Sequence, residues 1–122
     1  MKPCVPIILL LGVTSLPAFS GEADVLNVDV SCNSDSTCRF DVTVKHDDEG
    51  WKHYANRWEV LSPDGKVLAT RVLAHPHDNE QPFTRSLGNV RIPSALVEVV
   101  VRAHDSVHEF GGKELVVRLP SR

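Results

Sequence analysis

From Leu26 onward the chain alternates between apolar and polar positions. Leu26, Val28, Val30 and Cys32 are separated by Asn27, Asp29 and Ser31, and Cys38, Phe40, Val42 and Val44 by Arg39, Asp41 and Thr43. A period of two marks a strand with one face buried. These stretches are therefore expected to be the first two strands, with both cysteines on the apolar side. A third strand is expected near Tyr54 to Leu61, with Trp58 and Val60 in phase, followed by a tight turn at Ser62-Pro63-Asp64-Gly65. Lys66 to Ala74 reads as the fourth strand. Phe83 to Leu87, running on toward Ile92, reads as an irregular fifth. Val97, Val99, Val101 and Ala103 mark the sixth, and Leu115, Val117 and Leu119 the seventh. No stretch carries a helical period, and Pro and Gly fall between the strands.

Seven short strands in about 100 residues predict an all-β domain, a seven-stranded antiparallel immunoglobulin/fibronectin-III-like sandwich with Trp58 filling the core. A small barrel is the structural alternative.

The first twenty residues read differently. Lys2 precedes an apolar run from Val5 to Val13, and Ala18-Phe19-Ser20 presents small residues where a leader peptidase reads them. Residues 1–20 are expected to be a signal peptide cleaved after Ser20, leaving 21–122 as a single β-sandwich domain in the periplasm or secreted outright. The run is too short to anchor the chain across a bilayer, and no second apolar block of that length follows. Cys4 precedes the apolar run, so it is not placed as a lipidation cysteine. It leaves with the leader, and Cys32 and Cys38 then read as one disulfide in an oxidising compartment. The net charge of −3 becomes more negative once Lys2 is removed. That sign argues against nucleic acid or an anionic membrane as partner.

The chemistry lies in the six histidines. They fall in three polar interruptions of the strand pattern as His46/His53, His75/His77 and His104/His108. In a Greek-key sandwich successive connections alternate between the two ends. The connections after strands one, three and five are short and lack histidine. Those after strands two, four and six, roughly 45–53, 75–82 and 104–112, hold every one, so the six rings are expected at one end.

Neutral imidazole is the commonest metal ligand. His75-Pro76-His77 is the sharpest local motif, because residues two apart in an extended chain share a side and Pro76 stiffens the segment. The expected ligands, in order, are His75, His77 and His104, then His108 and His53, then His46, which continues the inward phase of Val44 and also suits a core cap. Asp105, Asp78 and Glu109 are candidates to orient the rings. Asp47-Asp48-Glu49 reads as a solvated turn without the spacing of a calcium loop. An all-imidazole site suits copper or zinc. Met1 is the only methionine and goes with the leader, which excludes a thioether site.

Superoxide reductases also hold a His-ligated metal at one end of an immunoglobulin-like sandwich, and the expected architecture is similar to theirs at the level of fold. Their iron takes a cysteine thiolate in the late loop, where this chain has none. No nucleophile motif of the G-x-S-x-G kind is present, so a binding protein is favoured over an enzyme. The leading expectation is an exported carrier, sensor or buffer of copper or zinc. The alternatives are a metal-free module that docks a periplasmic protein or a glycan through Trp51, Tyr54, Phe83 and Phe110, and a pH-responsive module that uses the histidines alone.

Overall fold

A computed structural model describes residues 21–122; the expected signal peptide lies outside the described residues. Seven strands follow one another: β1 Asp24–Cys32, β2 Thr37–Lys45, β3 Ala55–Leu61, β4 Val67–Val72, β5 Phe83–Arg91, β6 Glu98–Asp105 and β7 Leu115–Arg118. They form two antiparallel sheets, β1-β2-β5 and β4-β3-β6-β7. The sandwich is as the alternation predicts. Among the described residues no helix is long and apolar enough to cross a membrane.

Phe40, Val42 and Val44 of β2 meet Trp58 and Val60 of β3 and Val99, Val101 and Ala103 of β6, all buried. Period two is what makes this possible, since every second side chain of β2 and β6 points between the sheets.

The first strand departs from strict alternation. Register slips between Val25 and Asn27, so the fully buried residue is Val25, while Leu26 is 41% exposed. One extra residue at a bulge reverses the phase on either side of it. Val28, Val30 and Cys32 then keep the inward phase but only lean on the core. Cys32 pairs directly with Cys38 across the β1–β2 ladder, and the two form the expected disulfide. For so short a loop the bridge contributes about 2 kcal/mol by loop-closure entropy. A Cys32→Ala/Cys38→Ala variant should lose about that much in urea unfolding, and an unchanged midpoint would contradict it.

Chain reversal alternates between the poles. At one pole the backbone amide of Ile92 donates to Ser36 O at 3.0 Å, and Gly65 closes the Ser62 turn with a left-handed φ of 91°. At the other pole lie the connections after β2, β4 and β6, and the start of β1 reaches the same pole. Gly112 serves a close approach there and not a sharp turn: a Cβ at this position would fall 1.9 Å from the carbonyl oxygen of Ala23. The tight reversal sits earlier, where Asp105 and Glu109 exchange backbone bonds of 3.0 and 3.1 Å and Glu109 adopts a φ of 60°.

Candidate metal centre

The three histidine-bearing loops are bonded to one another. Asp48 in the β2–β3 loop ties two of them together. Its Oδ2 accepts from the amide of His77 at 2.6 Å, and its Oδ1 accepts from the amide of Ala55 at 3.0 Å. Asp78 accepts from the amide of Gly50 at 3.1 Å. The amide of Ser106 donates to Tyr54 O at 3.0 Å, and the amide of Tyr54 donates to Ser106 Oγ at 3.1 Å. The amide of His46 donates to Gln81 Oε1 at 2.9 Å.

Within this frame four side chains converge. His46 extends the inward phase of β2 by one residue pair and is 2% exposed. Its Nδ1 lies 2.5 Å from Asp48 Oδ1, which accepts the ring proton. In the neutral ring that bond places the proton on Nδ1 and makes Nε2 the nitrogen that could bind an ion. His46 Nε2 faces His53 Nε2 at 3.2 Å, Asp105 Oδ2 at 3.5 Å and the carbonyl oxygen of Gly21 at 3.0 Å. His53 Nε2 lies 3.1 Å from Gly21 O, 3.1 Å from His108 Nδ1 and 3.5 Å from Asp105 Oδ1. His108 Nδ1 lies 3.3 Å from Asp105 Oδ2. Ligand atoms of His46, His53 and Asp105 all lie within 4.8 Å of one another, so this group could hold a metal ion.

The side chains of His46 and Asp105 are fully buried, that of His53 is 16% exposed and that of His108 39%. The cluster therefore has a closed floor and an open lip at His108. Burial pushes the Asp105 carboxyl up, but the amides of His108 and Val107 and the imidazoles of His46 and His108 outweigh it, and the group ionises below the usual carboxylate range. The two amides reach Asp105 Oδ1 at 2.5 and 2.7 Å, so the β6–β7 turn itself holds this carboxylate in place.

The other three histidines have different neighbours. His75 is exposed, with Nδ1 3.0 Å from Pro76 O. His77 lies 4.6 Å from the His75 ring, centroid to centroid, but it is buried and stacks on Phe83 at 4.1 Å. Among the described residues neither of its ring nitrogens has a hydrogen-bond partner, and the nearest carboxylate oxygen given for it, Asp48 Oδ2, lies 4.0 Å from Nδ1. His104 Nδ1 lies 2.6 Å from Asn56 Oδ1, and the ring packs edge-on against Phe110. Asp78 and Glu109, expected to orient rings, do not bond any of them: Asp78 holds the Gly50 amide, and Glu109 contributes its backbone to the turn. Residue types and spacing alone did not point to Asp48 or Gly21. The signal for Asp48 was its position two residues past the inward His46. The signal for Gly21 was the alternation of poles, which brings the start of β1 to the histidine end.

Burial, then Arg85 and His75, hold the His77 pKa below the ordinary imidazole value. The unfolded chain therefore binds this proton first as the pH falls. Stability is complete above about pH 6.5 and is lost as the pH drops through the interval between the unfolded and the lower native pKa. His104 has the same sign, from burial and then Arg57. In metal-free protein a His77→Phe variant, which keeps a ring against Phe83, should lose less unfolding free energy than wild type between about pH 7 and pH 5. Identical losses would show that His77 is not a source of the acid sensitivity.

No protein-family model matches the chain, and no solved structure matches it. A protein of Halomicrobium mukohataei named "Putative lipoprotein" is 40% identical over 96 residues, covering 79% of this chain. The chain spans about half the length of that relative, 47% of it.

Proposed function

We propose that the protein is an exported binder of a divalent transition metal, copper or zinc, held by His46, His53, His108 and Asp105 at the loop pole of the sandwich. The observation that carries this reading is the facing of acceptors. In the neutral ring, with the Nδ1 proton of His46 given to Asp48, Nε2 faces a carboxylate and a carbonyl oxygen, a set of donors that a cation can bridge. The spacing supports it as well. Bonds of 2.0–2.1 Å to a tetrahedral ion put ligand atoms about 3.3 Å apart; the ring nitrogens and the two Asp105 oxygens have neighbours at 3.1–3.5 Å, and one ligand atom each of His46, His53 and Asp105 lie within 4.8 Å of one another. Three imidazoles and one carboxylate suit zinc and copper(II), and the affinity order of the first row favours copper. Export to the periplasm or beyond is supported by the leader pattern, by the disulfide and by the lipoprotein name of the relative. A carrier or buffer fits a site whose lip is open at His108.

The test is metal analysis of tag-free mature protein, followed by titration with copper(II) and with zinc. Stoichiometric binding with a rise in melting temperature supports the reading. Binding no stronger than that of a control protein with scattered histidines would overturn it. A second reading, docking of a protein partner by the same loops, has one observation in its favour: Trp51 is 68% exposed and stands edge-on to Tyr54. Aromatic anchors of this kind concentrate at interfaces.

A further inference from the structure

Gly21 is the first residue of the chain expected to remain after the leader is removed, and it is built into the histidine cluster. Its carbonyl oxygen lies 3.0 Å from His46 Nε2 and 3.1 Å from His53 Nε2. A side chain here would displace the His108 ring: a Cβ on Gly21 would stand 2.4 Å from Cε1 and 2.7 Å from Nε2 of His108. The segment that follows is fixed. Ala23 is buried and Gly112 packs on its carbonyl. Val25 N donates to Lys113 O at 2.8 Å, and Lys113 N donates to Asp24 Oδ1 at 2.7 Å. The start of the domain is therefore held against the site by the same loop that carries Asp105 and His108.

We infer that the free α-amino group of Gly21, with its own carbonyl oxygen, is a ligand pair of the metal site, and that the site is completed only when the leader is cut off. The inference rests on the reading of the cluster as a metal site. Nitrogen and oxygen of one residue are separated by Cα and C, so together they close a five-membered chelate ring on a metal ion. In the uncleaved chain the Gly21 nitrogen is an amide, with no basic lone pair to offer. Leader peptidase hydrolyses the Ser20–Gly21 bond: water gives its hydroxyl to the Ser20 carbonyl carbon and its proton to the Gly21 nitrogen, which becomes an amine. Copper(II), which favours nitrogen donors in a tetragonal arrangement, is the cation this donor set fits best. Loading is thereby coupled to export, because the precursor lacks one ligand.

The experiment compares two forms of the mature protein, both beginning at Gly21, one with a free and one with an acetylated amino group. Copper(II) affinity is measured by competition with a chelator, and nitrogen hyperfine structure by electron paramagnetic resonance. Urea unfolding of the metal-free forms checks that acetylation leaves the fold intact. The expected result is a loss of affinity on the order of 10-fold or more on acetylation, with one fewer coupled nitrogen. Equal affinity and identical spectra in the two forms would overturn the amine ligand while leaving the imidazole site standing. Failure of both forms to bind copper would overturn the metal site itself, and the inference with it.

Discussion

Replacing His46 and His53 together by alanine is expected to abolish tight metal binding while leaving the sandwich folded. The two rings supply the pair of Nε2 atoms 3.2 Å apart on the buried side of the cluster. Without them only His108 at the lip and the buried Asp105 remain of the four side chains, and two side-chain donors hold an ion poorly against water. In wild type, free metal at a hundred times its dissociation constant adds about 2.7 kcal/mol of stability. For a domain of this size that is a rise in melting temperature of about 10–20 °C. The double variant should show almost none of this rise. A His75→Ala/His77→Ala variant should keep it, since His75 is exposed and His77 stacks on Phe83 away from the shared point. Metal-dependent stabilisation lost in the second variant and retained in the first would reverse the assignment.

The second large effect is expected at Asp48. Its fully buried carboxylate takes bonds from the His46 ring and from the amides of Ala55 and His77. Alanine leaves two backbone donors and one ring donor without partners in a site closed to water. At about 1 kcal/mol or more for each of the three unsatisfied donors, Asp48→Ala should cost on the order of 3 kcal/mol or more in urea unfolding of metal-free protein. It should also weaken metal binding by about 10–100-fold, the usual effect of losing a carboxylate that orients a ligand ring. Asp48→Asn retains an acceptor oxygen and should lose less of both. A cost below about 1 kcal/mol for the alanine variant would mean that water replaces the carboxylate, and that Asp48 does not join the loops.

Much of this architecture is legible in the residues. β2 and β6 bury every second side chain, so Phe40-Val42-Val44 and Val99-Val101-Ala103 announce strands and core together. The pole that carries the histidines follows from alternate chain reversal. β1 was less legible because a bulge at Leu26 changes phase, and nothing in a run of alternating residues marks where a ladder slips. The choice among six histidines was harder still, because it depends on ring direction. His75-Pro76-His77 drew attention as a local motif, yet the loop turns His77 toward Phe83. The inward phase of His46 suits a core cap, and the same phase carries it to the buried side of the cluster. Asp105, a candidate to orient neighbouring rings, has its carboxylate placed among three ring nitrogens by the turn from Asp105 to Glu109. Contacts of this kind depend on turns whose geometry involves a non-glycine residue at positive φ, Glu109, which sequence patterns do not foretell.

The most direct measurement is of the imidazole nitrogens themselves, followed by NMR as zinc is added to metal-free mature protein. One molar equivalent should move the ring resonances of His46, His53 and His108 together and leave those of His75 and His104 in place. Shifts that begin at His75 and His77, or a gradual change shared by all six rings, would contradict the centre described above.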